Sequence, residues 1–298
     1  MEELPQSTKA KSITEIAIPG SHNSGTYKLH KSLPVGPDEI ELVQKLGNNP
    51  VTGKLAKFIL KRWGVCQHSD IRDQLKIGIR YFDFRLGKVG KVNDEIRILH
   101  GLYGEEISNV LTVINEFLEE HMEEIVILDF QKIYQCSKED HEQIISFIEA
   151  SFGSKLLRKD NKHNLSLSDL VKNHVQVIVI YDNSWRISNP YLWPRMFCPN
   201  PWANTMRIPK LFSFLEGHLS KRSPKSLFVT QGILTPKVKT VLLAPFTTLF
   251  QVTKNVNKKL PHWIEDKAFP LKPNIVMTDF VSETQIPALT ISLNFKQP

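Results

Sequence analysis

Two histidines stand where the chain breaks direction, in Pro19-Gly20-Ser21-His22-Asn23 and in His100-Gly101. Two imidazoles brought to one place can act as general base and general acid on the same substrate. Asp83 and Arg85 sit two apart in the aromatic-rich run 79–85, so in an extended strand they share a face. The planar fork of an arginine matches phosphate oxygens bidentately. Asp279 closes the apolar run 274–279, and a carboxylate at such a place can orient an imidazole and stabilise its cation. Gln131, Lys132, Tyr181, Asp182 and Gln231 follow other apolar runs. Each member also has a plain structural reading. His22 and His100 serve as strand-end hydrogen bonders, Asp83 and Arg85 as an interior ion pair, Asp279 as a helix cap. Joint placement at strand ends lifts the set above these readings.

The elements that must position these residues follow from hydrophobic patterning. Seven runs read as strands: 13–18, 79–85, 96–99, 124–130, 175–181, 226–230 and 274–279. Several are apolar without alternation, the mark of strands covered on both faces. The first is expected to stop at Pro19-Gly20. Helical periodicity separates most of them, at 70–77, 105–121, 140–152, 167–171, 209–219, 236–258 with a break near Pro245, and 283–293. A parallel sheet with intervening helices predicts an α/β fold, a single irregular (β/α)8-type TIM barrel, with an eighth strand not visible in the pattern. A doubly wound open sheet is the alternative, but no glycine-rich phosphate loop follows any strand. Residues 1–12 read as a flexible lead and 13–298 as one domain.

Bulk properties narrow the classes. The chain has 298 residues, 41% of them hydrophobic, enough for one large core. Three scattered cysteines, Cys66, Cys136 and Cys198, form no paired motif, which argues against a disulfide scaffold and for a reducing, cytoplasmic setting. The start of the chain has no apolar leader, and no run reaches the roughly 20 apolar residues of a membrane span. The net charge of +7 favours an anionic partner. Nucleic acid is the weakest of these, because the aromatics form no stacking platform with basic neighbours. Two stretches suit an anionic membrane surface: the basic helix at 53–63 and the Trp/Pro-rich segment 185–202, Trp193 included. Both can equally be packed over the core. Nothing in the sequence specifies an oligomeric state.

The sequence resembles the phosphatidylinositol-specific phospholipase C X domain. The resemblance rests on Ile18-Pro19-Gly20-Ser21-His22-Asn23-Ser24-Gly25-Thr26, Gly78-Ile79-Arg80-Tyr81-Phe82-Asp83-Phe84-Arg85, Leu99-His100-Gly101 and Ile275-Val276-Met277-Thr278-Asp279-Phe280. It looks most like the stand-alone X-domain proteins of animals, through Leu192-Trp193-Pro194, Pro201-Trp202-Ala203-Asn204-Thr205 and Leu234-Thr235-Pro236-Lys237. The resemblance implies a barrel enzyme acting on a phosphoinositide lipid at a membrane surface. His22 would be the general base on the inositol 2-hydroxyl, oriented by Asp279. Arg85 would hold the phosphate, Asp83 would match an active-site acid, and His100 would protonate the departing diacylglycerol. Asn23, Gln131, Tyr181 and Asp182 fall at substrate-contact positions.

Three departures qualify this. Bacterial members usually carry Asp where this chain has Asn23, and an amide cannot stabilise a cationic His100 by charge. Asn there is typical of the calcium-dependent eukaryotic branch. That branch also needs acids where this chain has Arg85 and Gln131, leaving too few hard oxygens for calcium. The expectation is therefore an enzyme with no metal and no other cofactor, calcium being the alternative. Third, the basic headgroup contacts of the bacterial enzymes are replaced by Gln131 and Asp182. A phosphoinositide-binding regulatory protein with little turnover is the second functional reading. A metal-dependent glycerophosphodiesterase would want a Glu–Asp pair soon after His22, and none follows.

Overall fold

The structure is a computed structural model that describes residues 1–90, 95–161, 165–182 and 188–296. Helix α1 (Gln6–Lys9) precedes β1 (Ile18–Ser21). Then follow α2 (Glu41–Asn48), α3 (Gly53–Gly64), α4 (Ile71–Lys76), β2 (Tyr81–Lys88), β3 (Ile96–His100) and β4 (Leu102–Glu106). The middle of the chain forms α5 (Ile107–Glu120), β5 (Val126–Tyr134), α6 (Lys138–Phe152), α7 (Leu167–Lys172), β6 (Val177–Tyr181) and β7 (Leu192–Trp193). Helix α8 (Ile208–Leu219), β8 (Val229–Gln231), α9 (Val238–Leu243), α10 (Leu249–Trp263), β9 (Ile275–Thr278) and α11 (Ile286–Ser292) complete it.

The strands run β7-β6-β5-β2-β1-β9-β8, every neighbouring pair parallel. Side-chain alternation sends Ile18, Tyr81, Ile127, Ile178, Ile180, Val229, Ile275 and Met277 into one interior cluster. Phe82, Phe84, Leu128, Phe130, Val179 and Tyr181 pack outward against α4, α5 and α6. Helices α8, α10 and α11 cover the other side. A fully buried Leu, Ile or Phe contributes about 1.5–3 kcal/mol, so the apolar lower barrel and its shell supply the stability. The upper barrel is left free to carry polar groups. This is the predicted α/β barrel, and it is irregular. Strands β7 and β8 do not pair; the opening is bridged by Val229 N donating to the Pro199 carbonyl at 2.9 Å and by Gln231 Nε2 donating to the Asn200 and Pro201 carbonyls at 3.1 Å.

Four expectations need correction. The first strand starts at Ile18 and runs through Pro19-Gly20 instead of stopping there. Pro19 is tolerated because its backbone faces β2, which begins only at Tyr81; no strand carbonyl waits for the missing N–H, and the Pro19 carbonyl accepts from Arg80 N. Upstream, the Asn274 side chain takes the Ile13 and Ile16 carbonyls at 2.9 and 2.7 Å, so that segment needs no strand partner. Second, residues 102–106 form β4, which pairs antiparallel with β3 in a hairpin folded back on β2; Gly101 makes the turn at φ +68°. Third, the stretch read as irregular contains the two-residue β7. Fourth, the lead expected to be flexible is packed, with Leu4 and Thr8 buried and Thr8 Oγ1 donating to the Asn294 carbonyl at 2.9 Å.

Candidate active site

The C-terminal ends of β1, β2 and β9 meet at the barrel mouth. Gly20 lets them approach: a Cβ there would lie 2.9 Å from Tyr81 Cδ1. His22 leaves β1 with its N–H on the Thr278 carbonyl at 3.1 Å. Gln67 Nε2 donates to the His22 and Thr278 carbonyls at 2.9 and 3.1 Å, while its Oε1 accepts from Val281 N at 3.0 Å. One buried glutamine thus clamps β1 to β9.

Asp279 Oδ1 lies 2.7 Å from His22 Nδ1. An ionised Asp279 accepts the Nδ1 proton and leaves Nε2 as the basic nitrogen. That nitrogen is 3.8 Å from Asp83 Oδ2. Asp83 is wholly buried and accepts from Asn23 N at 3.0 Å. Ser24 locks the loop to β2, accepting from Asp83 N at 2.9 Å and from Ser21 Oγ at 2.6 Å and donating to the Ser21 carbonyl at 2.9 Å.

Asn23 adopts φ +44°, a left-handed conformation asparagine tolerates. Its Nδ2 donates to Cys66 Sγ at 3.4 Å. Asn23 Oδ1, Asp83 Oδ1 and Asp279 Oδ2 are buried without a hydrogen-bond partner. Arg85 follows Asp83 on the same face. Its Nε is buried and unpartnered, so the guanidinium is held ready for an anion.

His100 ends β3 and is delivered to the mouth by the hairpin. Its Nδ1 donates to the Gly64 carbonyl at 2.8 Å, which presents Nε2 for chemistry. Burial first, and then the Arg85 charge, hold its pKa down to about 4; the Gly64 hydrogen bond and the Asp38 charge oppose them. Asp38 was not foreseen. Its Oδ2 accepts from Gly101 N at 2.7 Å, beside the imidazole. Burial and Asp38 together raise Glu39 to about 7.

The structure brings together His22, Asn23, Asp83, Arg85, His100 and Asp279. Tyr181 is not among them and is withdrawn as a substrate contact. It faces the outer layer, its ring against Phe130 and its hydroxyl 2.7 Å from His141 Nδ1. Asp182, one residue on, is exposed beyond β6. Gln131 is half-buried at a bulge: Phe84 pairs with Phe130 but Arg85 with Lys132. The extra residue moves Lys132, not Gln131, into the row of Arg85. The clue in the sequence was the spacing of Phe130 and Ile133, both on the outer face and three apart. Asp129 and Arg195 were also missed. They form a bidentate pair inside the barrel at 2.5 and 2.6 Å, with Tyr81 donating to Asp129 at 2.5 Å.

Calcium does not fit these residues. The pocket offers only Asn23 Oδ1, Asp83 Oδ1 and Asp279 Oδ2 as bare hard donors among the described residues, and the neighbouring strand-end positions carry a guanidinium, an amide and Lys132. Calcium takes 6–8 oxygens.

Parallel strands that bring one imidazole, two carboxylates and a guanidinium to their C-terminal ends, and an antiparallel hairpin that adds the second imidazole, define an α/β barrel with a polar site at its mouth. The family model of the phosphatidylinositol-specific phospholipase C X domain matches residues 53–180. PI-PLC X domain-containing protein 2 of Mus musculus is 36% identical over 302 residues, covering 99% of this chain and 86% of that protein. PI-PLC X domain-containing protein 3 of Homo sapiens is 34% identical over 303 residues, covering 99% and 92%. Among solved structures, the phosphatidylinositol-specific phospholipase C of Listeria monocytogenes superposes with a TM-score of 0.70 at 18% identity, over 98% of this chain and 97% of that one. The chain belongs to the PI-PLC X domain-containing protein family and has the fold of the bacterial phospholipases.

Proposed function

We propose that this protein cleaves the phosphodiester of phosphatidylinositol-type lipids, releasing diacylglycerol and an inositol phosphate. One observation carries the reading: His22 and His100 each have Nδ1 engaged and Nε2 presented, and unpartnered Arg85 shares their pocket. His22 Nε2 removes the inositol 2-hydroxyl proton, and the oxygen attacks phosphorus. Arg85 holds the charge that builds on the phosphate oxygens. His100 protonates the departing diacylglycerol oxygen, leaving a cyclic phosphate, which water opens with the histidine roles exchanged. Lys132, level with Arg85 on the neighbouring strand, is the nearest candidate for a headgroup contact.

His100 sheds its proton in the free pocket because burial and Arg85 repel the cation. A phosphodiester anion across Arg85 offsets the Arg85 part of this effect and moves His100 back toward its ordinary value, while burial still opposes the cation. Asp38 supplies a carboxylate near His100 that Asn23 cannot. No metal step is needed. The same low pKa favours a second reading, phosphoinositide binding with little turnover, because the acid is mostly neutral before substrate arrives.

Membrane contact is assigned to the rim. Val238, Leu242, Leu243 and Phe246 are exposed beyond β8, with Lys237 and Lys239 flanking Val238. Arg62 of α3 donates to the Phe246 carbonyl, joining this patch to exposed Lys54 and Leu55. Both elements follow C-terminal strand ends and so flank the mouth. Among the described residues no helix is long and apolar enough to cross a membrane. We assign the protein to the cytoplasm, with transient attachment to anionic membranes.

The test is release of water-soluble inositol phosphate from labelled phosphatidylinositol vesicles, with and without chelator. Turnover is expected in both, reduced ~10²–10⁴-fold in His22→Ala and about 10²-fold or more in Arg85→Lys, where a point charge replaces the fork. Turnover no higher than His22→Ala, with vesicle binding intact in that variant, selects the binding-only reading.

A further inference from the structure

Cys66 has no part in this reaction, yet it is wholly buried at the wall of the pocket. Its sulfur accepts from Asn23 Nδ2 at 3.4 Å and stands 3.8 Å from His100 Nδ1. The ligating atoms of His22, Cys66 and Asp279 all lie within 4.8 Å of one another. We propose that His22, Cys66 and Asp279 form a binding site for a thiophilic divalent cation, zinc above all, and that its occupation switches the barrel off.

Ligand chemistry picks the ion. A thiol, an imidazole and a carboxylate make a mixed sulfur, nitrogen and oxygen set that suits zinc and is refused by calcium and magnesium. Zinc bonds of about 2.0–2.3 Å need the three ligands to close by about an ångström. Side-chain rotation of His22 and Asp279 supplies this, since both stand at strand ends. A second observation is independent of the cluster. Asp279 Oδ2 is buried without a partner, the residue being 1% exposed, and Asp83 Oδ1, on the carboxylate at the other ring nitrogen of His22, is in the same condition. Buried carboxylate oxygens left bare are costly unless something positive meets them.

Charge agrees. On binding, the Cys66 sulfur–hydrogen bond breaks, the proton leaves to solvent, and a sulfur–zinc bond forms with no change of oxidation state. Thiolate and Asp279 then meet the two charges of the ion directly, so the three-ligand site itself is neutral. The ion takes the nitrogen or the carboxylate that the proposed base depends on. Binding therefore stands apart from the proposed reaction, whereas inhibition rests on it.

The experiment is titration of the full chain with Co²⁺ alone, then displacement by Zn²⁺. The expected result is one bound cobalt with intense tetrahedral visible bands and a thiolate-to-metal charge-transfer band in the near ultraviolet. Cys66→Ser should lose that band and bind zinc more than about 100-fold more weakly, beyond the 10–100-fold that loss of an outer-shell partner costs. His22→Gln should also lose affinity while keeping the sulfur band, and Cys136→Ser should change nothing. The proposal is overturned if the band survives Cys66→Ser, if that variant's zinc affinity falls by less than about 100-fold, or if the folded protein binds no cobalt. Vesicle hydrolysis then reads the second half: zinc should inhibit the wild type and spare Cys66→Ser at the same concentration. A protein that binds zinc through Cys66 but hydrolyses nothing would sink the proposed reaction and leave this site standing.

Discussion

At the scale of single residues, the pocket sets two histidines against each other. His22 is tied to a carboxylate; His100 is tied to a neutral carbonyl and faces Arg85. His100 therefore takes a proton less readily in the folded protein than in the unfolded chain, where its pKa is near 6.5. The unfolded state then binds more protons, so stability falls as pH falls. The contribution is complete above about 6.5 and is lost toward the folded value of about 4. His100→Asn should flatten the decline of Tm between these limits. It will not abolish it, because burial lowers His30 and His141 as well. Parallel declines for variant and wild type would show that His100 is not held neutral by its surroundings. Asn23 shows what the sequence alone could not say. Its identity was plain, but its left-handed backbone and its bond to Cys66 come from the fold.

At the scale of elements, the rim helices divide into packed and unpacked parts. Trp193, expected as a candidate for lipid contact, is buried in the barrel with Nε1 donating to the Leu157 carbonyl at 3.0 Å. Trp185 of the same segment lies outside the described residues. Met196 and Trp202 of that segment are exposed, and so are Leu242, Leu243 and Phe246 after β8 and Leu55 on α3. An inserted Leu or Phe is worth about 1.5–3 kcal/mol. Leu242→Asp with Phe246→Asp should thus weaken binding to anionic phosphatidylinositol vesicles by at least ~10-fold and leave Tm unchanged. Unchanged sedimentation with vesicles would remove this face from the account. Trp193→Ala should behave in the opposite way, losing about 3–5 kcal/mol of stability through the cavity it leaves. Strand periodicity made most elements legible. The bulge at Gln131 and the β3–β4 hairpin were less so, because one extra residue or one antiparallel turn leaves hardly any trace in composition.

At the scale of the whole molecule, the barrel is held across its middle by charge as well as by apolar packing. Asp129 is fully buried, and its bidentate bond to Arg195 ties β5 to the chain that leaves β7, beside the unpaired edge. Tyr81 and Asn200 extend the network at 2.5 and 3.2 Å. Asp129→Ala would strand a guanidinium and a phenol, and should cost about 3–5 kcal/mol in urea unfolding. Removing Arg195 in the same chain should recover part of that loss. A penalty under about 1 kcal/mol would mean that Asp129 is already screened by solvent.

The α/β barrel, the order of its strands' contents, and the identities of His22, Asp83, Arg85, His100 and Asp279 were determined by the sequence itself. Hydrophobic periodicity is local, and the strand-end residues lie beside it. Which of those residues face the mouth was decided only by tertiary structure. Facing depends on register, and a single bulge or hairpin changes it: Tyr181 turned outward, Lys132 took the register position beside Arg85, and His100 arrived on an antiparallel strand. The groups from distant loops, Asp38, Cys66 and Gln67, belong to the site through proximity alone, for which no pattern along the chain stands proxy. The long-range pairing of Asp129 with Arg195 was invisible for the same reason.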